Sequence, residues 1–207
     1  MKENNNTPLS ENSHSDKVDF SNLISDLTKI KDEGNALYKQ KKLDEAKKKY
    51  EEGIKLFAKE SPLINKERGN NEQCKDVLLL YKKILSNMAL CFYKEGNYEK
   101  AIEYDLKIIE DFPKFGKSIV RLFNSYSRLN KMQQAVYYGD LFLELDPETR
   151  DKFKGTQTKV QNEKQRLKKI QKEEKDKIKK DFIKYGVPAL ILLLAILTFF
   201  YLRKNKK

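Results

Sequence analysis

The apolar residues of the chain recur at helical spacing over most of its length. Two segments, NMALCFYKEGNYEKAIEYDLKIIEDFP and FNSYSRLNKMQQAVYYGDLFLELDP, align with each other and end at Pro113 and Pro147, which are 34 positions apart. Their Ala101 and Ala135 are separated by the same 34 positions. A period of about 34 residues is typical of stacked pairs of helices. The pattern predicts an all-α fold.

A third copy of the pattern lies upstream, in GNALYKQKKLDEAKKKYEEGIKLF. Its Ala46 precedes Ala101 by 55 positions, which is one period plus 21 inserted residues. The sequence therefore predicts a repeat domain over 21–155, with repeat 1 at about 27–60, an insertion at about 61–80, repeat 2 at about 82–115 and repeat 3 at about 116–149. Small residues should let the helices of a repeat approach, and aromatic residues should fill the space between repeats. The small residues are Gly34, Ala46, Ala89, Ala101 and Ala135, and the aromatic ones are Tyr38, Tyr50, Phe92 and Tyr126.

The last repeat needs one more helix, because each helix pair leaves an apolar face that only a neighbouring element can cover. Residues from about Glu148 onward are expected to supply this helix, with Val160, Leu167 and Ile170 at helical spacing. Over 156–184 acidic and basic residues alternate at turn spacing, which indicates a charged capping and stalk helix.

An uncharged stretch of 18 residues, YGVPALILLLAILTFFYL, occupies 185–202. At about 1.5 Å of rise per residue it is close to the thickness of the hydrocarbon core of a bilayer. A buried core helix is the alternative, but only RKNKK follows, so no later element is expected to cover a helix that is apolar on every face. The stretch is predicted to be a transmembrane anchor inserted after translation, with the N-terminal bulk in the cytosol.

Basic residues flank both ends of the predicted span, so the positive-inside rule does not choose its orientation. These membrane-flanking residues are Lys179, Lys180, Lys184 and, in the basic tail over 203–207, Arg203, Lys204, Lys206 and Lys207. A short span with basic flanks slightly favours the mitochondrial outer membrane over the endoplasmic reticulum.

The net charge of +12 is unevenly distributed along the chain. Residues 156–184 carry six excess basic residues and RKNKK carries four, so the repeats are nearly neutral. A nucleic-acid-binding domain would show a basic stripe with stacking aromatics on its fold, and none is visible. One His and two Cys do not suggest a metal site, and no nucleophile–base pair or phosphate loop indicates an enzyme, a cofactor or a small-molecule substrate. Residues 1–20, rich in Asn, Ser and charge, are predicted to be a disordered tail.

Over roughly 21–172 the chain resembles the three-repeat tetratricopeptide (TPR) domains of co-chaperones, which form a superhelix. The extra segment SPLINKERGNNEQCKD is similar to the insertion of the large immunophilins, in particular the membrane-anchored kind. Those proteins carry an isomerase domain of about a hundred residues before the repeats. Because only some twenty residues precede the repeats here, isomerase activity is not expected.

The resemblance implies a binding site for the C-terminal Glu-Glu-Val-Asp tail of the 70- and 90-kDa heat-shock chaperones. In the family, Lys-x-x-x-Asn on the first helix, an Asn on the third and Lys-x-x-x-Arg on the fifth bind the terminal Asp. The matching residues are Lys31, Asn35, Asn87, Lys117 and Arg121. Cations and amides suit this ligand, because a terminal Asp presents two carboxylates. Asn is also a poor helix former, so Asn35 and Asn87 need a reason to lie inside helices.

The expected function is therefore that of a membrane-anchored co-chaperone that recruits heat-shock chaperones to the cytosolic face of an organelle, with the lipid bilayer as its second partner. A tail-anchored TPR adaptor for organelle fission or protein import, which does not bind chaperones, is the alternative. Fission adaptors of that kind have a shorter domain of two repeats without the five polar residues, so the sequence fits them less well.

Overall fold

The computed structural model describes residues 18–69 and 71–204, the last six of them by their backbone alone. Within those ranges the chain is helical with no strand, so the all-α prediction is confirmed. The helices are α1 (Ser21–Lys39), α2 (Leu43–Glu67), α3 (Glu72–Lys94), α4 (Tyr98–Asp111), α5 (Gly116–Arg128), α6 (Met132–Leu143), α7 (Pro147–Asp151), α8 (Thr156–Asp181) and α9 (Val187–Lys204). The chain divides into two compact units at Ile108–Ile109, inside the last turn of α4.

In the first unit α1 packs against both α2 and α3. The helices approach closely where side chains are small: a Cβ on Gly34 would overlap the Tyr50 ring, and one on Gly53 would lie 2.9 Å from the Ile84 Cδ1. A core of this density leaves no room for one added methyl group. The predicted small residues of this unit, Gly34, Ala46, Ala89 and Ala101, are all buried.

Both α2 and α3 are longer than a repeat helix needs, at 25 and 23 residues. The extra residues predicted between repeats 1 and 2 lie in the end of α2 and the start of α3. Pro62 stands inside α2 and has no N–H to donate to the carbonyl of Ala58. The Ser61 hydroxyl donates to that carbonyl instead, at 2.9 Å. The helix can therefore continue past Pro62 without an unpaired acceptor.

A short segment before α1 is fastened to the turn between α2 and α3. The Asn71 side chain caps α3 by accepting from the Gln73 N–H, and its Nδ2 donates to the Val18 carbonyl at 2.6 Å. Gln73 in turn accepts from the Phe20 N–H and donates to Asp19. Phe20 itself is buried. Of the tail predicted over 1–20, residues 1–17 lie outside the described residues, whereas Val18, Asp19 and Phe20 are tied to the first unit.

In the second unit α6 packs against both α5 and α8. A Cβ on Gly139 of α6 would lie 2.8 Å from the Val160 Cγ1, so α8 approaches α6 at its glycine. Ala135 and Val160 are fully buried. The Asp140 carboxylate pairs with Lys164 one turn beyond this contact. Leu167 and Ile170 follow on α8 and are partly exposed.

The residues from Glu148 to Asp181 form two helices. A separate short helix, α7, ends at Asp151, and α8 begins only at Thr156. Between them Gly155 has a φ of 84°, in the left-handed region that favours glycine. A residue in that conformation interrupts a right-handed helix.

The chain continues from α8 to α9 without leaving the helical path. A π-helical turn over Phe182–Gly186 joins them. Gly186 makes room for this wider turn, because a Cβ there would lie 2.7 Å from the Phe182 Cδ2. The described residues include one helix, running through Thr156–Thr198, that is long and apolar enough by length and composition to cross a membrane. Its most apolar window is not buried at all.

Candidate functional site

The two asparagines singled out from the sequence contact each other. Asn35 lies on α1 and Asn87 on α3, and the Asn87 Nδ2 donates to the Asn35 Oδ1 at 2.7 Å. The Tyr50 hydroxyl of α2 donates to the same oxygen at 2.9 Å. An amide oxygen has two lone pairs, so these two bonds use the acceptor end of Asn35. The donor end, Nδ2, is left to meet an acceptor such as a carboxylate.

Tyr50 fixes this arrangement from within the core of the first unit. Its side chain is almost wholly buried, and its ring lies against the backbone of Gly34, next to Asn35 in the chain. Burial raises the pKa of the Tyr50 hydroxyl far above its usual value. The hydroxyl therefore stays protonated at any physiological pH and acts as a permanent donor to Asn35.

Lys31 lies one helical turn before Asn35, on the same face of α1. Its side chain is largely covered, at 18% exposed, and the Nζ lies 3.2 Å from the carboxylate of Asp32. Asp32 is well exposed, at 62%. An incoming carboxylate would have to share or displace this ion pair. Asp32 would therefore compete with such a carboxylate for the Lys31 ammonium group.

The second unit supplies the other two predicted residues, Lys117 and Arg121, both on α5. They are four positions apart, so they project from one face of that helix. The Lys117 side chain is exposed, whereas Arg121 is buried, at 8% exposed. The start of α5 packs closely at Gly116, because a Cβ added there would lie 2.7 Å from the Thr149 Cγ2. Lys117 follows Gly116 in the first turn of α5 and lies at the surface.

Two contributors went unnoticed at the level of sequence. The sequence predicts only a packing role for Tyr50, because its hydrogen bond to Asn35 depends on α1 and α2 being folded together. Asp32 adjoins Lys31 in the sequence, and that adjacency was a usable signal for an ion pair. Asn124, also on α5, donates from Nδ2 to the Val120 carbonyl of its own helix at 2.8 Å.

The structure also locates the membrane-flanking residues. Lys179 and Lys180 lie in the last turn of α8, Lys184 lies in the π-helical turn, and all three are exposed. Arg203 and Lys204 lie in the last turn of α9, described by backbone only, and Lys206 and Lys207 lie outside the described residues. Both cysteines, Cys74 and Cys91, are buried. Within the residues described, no group of three or more His, Cys, Asp or Glu side chains could hold a metal ion.

Comparisons with known proteins identify the fold of the chain. No protein-family model matches the chain. The chain is 30% identical over 104 residues to the peptidyl-prolyl cis-trans isomerase PASTICCINO1 of Arabidopsis thaliana. The match covers 50% of this chain and 15% of that protein, and it does not lie over an isomerase domain. The chain thus spans only a small part of this relative.

Two solved structures are similar over three quarters of the chain. The C-terminal TPR-containing domain of an FK506-binding protein of Plasmodium falciparum has a TM-score of 0.59 and 20% identity, covering 75% of this chain and 97% of that domain. The Hsp90 co-chaperone Cns1 of Saccharomyces cerevisiae has a TM-score of 0.54 and 20% identity, covering 76% and 45%. The chain has the fold of TPR domains. At this level of identity the likeness establishes the fold alone.

Proposed function

We propose that the chain is a membrane-anchored TPR co-chaperone that binds the C-terminal Glu-Glu-Val-Asp tail of 70- or 90-kDa heat-shock chaperones. One observation carries the proposal: Asn87 and Asn35, 52 positions apart, meet in a hydrogen bond of 2.7 Å beside Lys31. Asn lowers helix stability at both positions, so their meeting calls for a function. TPR domains resembling this one occur in chaperone-binding proteins, as the name of Cns1 states.

The chemistry of the five residues suits a terminal Asp. Amide groups of Asn35 and Asn87 would donate to the α-carboxylate, and Lys31, Lys117 and Arg121 would supply charge-assisted hydrogen bonds to the two carboxylates. Bonds of this class contribute about 1.5 to 3 kcal/mol each, from which the ordering of a flexible tail must be subtracted. A dissociation constant on the order of micromolar is expected for a short peptide.

The α9 helix would hold this domain at the cytosolic face of an organelle. No residue of its apolar window is buried, and by length and composition the window can cross a bilayer. We favour the mitochondrial outer membrane over the endoplasmic reticulum. Imaging of the full chain with an N-terminal fluorescent tag in cells checks this choice, and a reticular pattern would reverse it.

Fluorescence anisotropy of a labelled Glu-Glu-Val-Asp peptide, with the full chain in detergent micelles, tests the peptide site. The double change Lys117→Ala/Arg121→Ala and the single change Asn87→Ala should each weaken binding by about tenfold or more. Lys114→Ala, which removes an exposed lysine just before α5, is the matched control and should bind as the wild type does.

A second arm uses the same peptide with an amidated C-terminus, which lacks the α-carboxylate. Its binding should fall below that of the free peptide by a similar factor. Equal binding of both peptides, or full binding by the double variant, would overturn the proposed recognition of a chaperone tail.

A further inference from the structure

An apolar stripe lies on the helical segment just before α9 and ends at Tyr185, the first residue of the predicted span. Ile178, Phe182 and Tyr185 follow each other at intervals of four and three residues, so they share one side of the helix. Their exposed fractions are 67%, 59% and 62%, and Ile183 beside them is 57% exposed. Large apolar side chains this exposed and this close together mark an interaction surface.

A basic stripe accompanies the apolar one. Lys177, Lys180 and Lys184 follow each other at intervals of three and four, and each is exposed. At 3.6 residues per turn the three lysines point, on average, roughly 130° away from the three apolar residues, so the two stripes run along different sides of one helix. At the end of both stripes the Lys184 Nζ lies 4.9 Å from the centre of the Tyr185 ring. A helix with one apolar and one basic side is typical of segments that lie at a membrane surface.

We propose that residues 177–185 form an interfacial segment that inserts its apolar stripe between anionic phospholipid headgroups while its lysines bind their phosphates. The inference rests on the membrane anchoring by α9 proposed above. The occupant is assigned by continuity and by charge: the stripe runs directly into α9, and the lysines complement an anionic surface rather than a neutral one. Aromatic residues such as Phe182 and Tyr185 suit the boundary between water and acyl chains.

The segment determines how the stalk meets the bilayer. Ile178 lies nine positions before Val187, or about 13 Å along the helix axis. A helix standing upright would hold Ile178 well outside the hydrocarbon core, with its stripe in water. Insertion of the whole stripe therefore requires the helix to tilt towards its apolar side, as helices longer than the bilayer commonly do. The wide turn at Phe182–Gly186 is where such a tilt can be accommodated.

The chain contains no Trp, so a single introduced Trp reports its own depth. Three full-chain variants, Phe182→Trp, Glu174→Trp and Leu194→Trp, are reconstituted into vesicles of phosphatidylcholine, with or without phosphatidylserine. Quenching is measured with lipids brominated near the headgroup or near the chain end. We expect Phe182→Trp to be quenched several-fold more by the shallow bromines than by the deep ones, and more strongly with phosphatidylserine. Glu174→Trp should remain unquenched, and Leu194→Trp should be quenched by the deep bromines.

Changing Lys177, Lys180 and Lys184 to Gln in the Phe182→Trp background should abolish the effect of phosphatidylserine. Quenching of Leu194→Trp without quenching of Phe182→Trp would overturn the interfacial segment alone. Absence of quenching at Leu194→Trp would overturn the anchoring as well. Quenching of Phe182→Trp that is the same with and without phosphatidylserine would refute the role of anionic lipid. Peptide binding, measured on the same vesicles, should be unchanged throughout, which separates these outcomes from failure of the chaperone site.

Discussion

The Asn87 side chain donates a hydrogen bond of 2.7 Å to the side-chain oxygen of Asn35, joining α3 to α1. This bond gives the Asn35 amide a defined orientation, because its oxygen faces two donors and its nitrogen must then point elsewhere. A donor held in advance costs less entropy when a ligand binds. The pairing thus converts two unfavourable helix residues into one pre-oriented polar group.

Removing the second donor to Asn35 should weaken peptide binding. Tyr50→Phe keeps the ring that packs against Gly34 but deletes the hydroxyl that holds the Asn35 oxygen at 2.9 Å. We expect the free energy of unfolding to fall by about 1 kcal/mol. We also expect the affinity for the Glu-Glu-Val-Asp peptide to fall several-fold, because the amide is less well oriented. Urea denaturation followed by circular dichroism, and anisotropy, measure the two quantities.

The matched control for Tyr50→Phe is Tyr137→Phe, which makes the same chemical change at a tyrosine that is 59% exposed on α6. It should leave both quantities unchanged. Lower stability of Tyr50→Phe with wild-type peptide affinity would show that Tyr50 supports the fold and does not orient Asn35 for a ligand.

Asp32 should oppose binding of an acidic peptide. Its carboxylate lies 3.2 Å from the Lys31 Nζ, where a ligand carboxylate would compete with it. Asp32→Asn should tighten peptide binding by roughly two- to fivefold, the range of a solvent-exposed ion pair. The same anisotropy titration at two salt concentrations measures the effect, which should shrink as salt is raised.

Asp26→Asn makes the same change in net charge at another exposed position of α1. It should tighten binding by much less, since the long-range repulsion between Asp26 and the acidic peptide is screened by salt. Equal gains from Asp26→Asn and Asp32→Asn would mean that only the net charge matters, and that Lys31 is not held back by its neighbour.

The repeat period was readable from the sequence because it rests on spacings between small residues. Ala101 and Ala135 are buried where helices pack together, and such positions need small residues. Small residues therefore recur at the 34-residue interval of the repeat. The continuation of α2 past Pro62 could not be predicted from the sequence, because Pro normally ends a helix. The hydrogen bond that the Ser61 hydroxyl donates to the Ala58 carbonyl depends on local geometry. The break at Gly155 is similar: the residue type was visible, but its left-handed conformation was not.

The candidate site shows the same division. Lys31, Asn35 and Asn87 could be selected because they match the polar pattern of the TPR domains that the sequence resembles. The hydrogen bond from Tyr50 to Asn35 could not be selected in that way. It joins two helices at a distance fixed by the absence of a side chain at Gly34. Tertiary packing, rather than any local pattern, decides which hydroxyl reaches which amide.

Asn71 should stabilise the first unit more than an ordinary surface asparagine. It is buried, caps α3 at the Gln73 N–H and donates to the Val18 carbonyl. Asn71→Ala removes both bonds, so the free energy of unfolding should fall by about 1 to 2 kcal/mol. Hydrogen exchange at the amides of α1 should accelerate with it. Asn65→Ala, at an exposed position of α2, is the control and should change neither measurement.

The fastening of the N-terminal segment should weaken in acid. Hydrogen bonds from Ser21, and then from Gln73, lower the pKa of Asp19 below its usual value. A carboxyl whose pKa is lowered by folding stabilises the fold above its ordinary pKa of about 3.9, and this contribution is lost as pH falls through the lower folded value. Asp19→Asn, which keeps one acceptor oxygen but no charge, should therefore be less stable than wild type at neutral pH. The difference should disappear towards pH 2. Urea midpoints measured across this range test the prediction, and a difference that did not vary with pH would contradict it.

The contact between α6 and α8 should decide whether Gly139→Ala lowers or raises the free energy of unfolding. A Cβ at Gly139 would lie 2.8 Å from the Val160 Cγ1 and 3.0 Å from its Cγ2, so Gly139→Ala forces a buried, rigid side chain to move. Such overpacking costs about 1 to 3 kcal/mol, more than the gain of roughly 1 kcal/mol that Ala offers over Gly inside a helix. Gly139→Ala should therefore lower the unfolding free energy of the full chain. In a Val160→Ala background the two methyl groups are absent, and the same change should be neutral or stabilising. Urea denaturation of the four proteins in this cycle gives the coupling energy. If Gly139→Ala had the same effect in both backgrounds, α8 would not pack on α6 at this glycine.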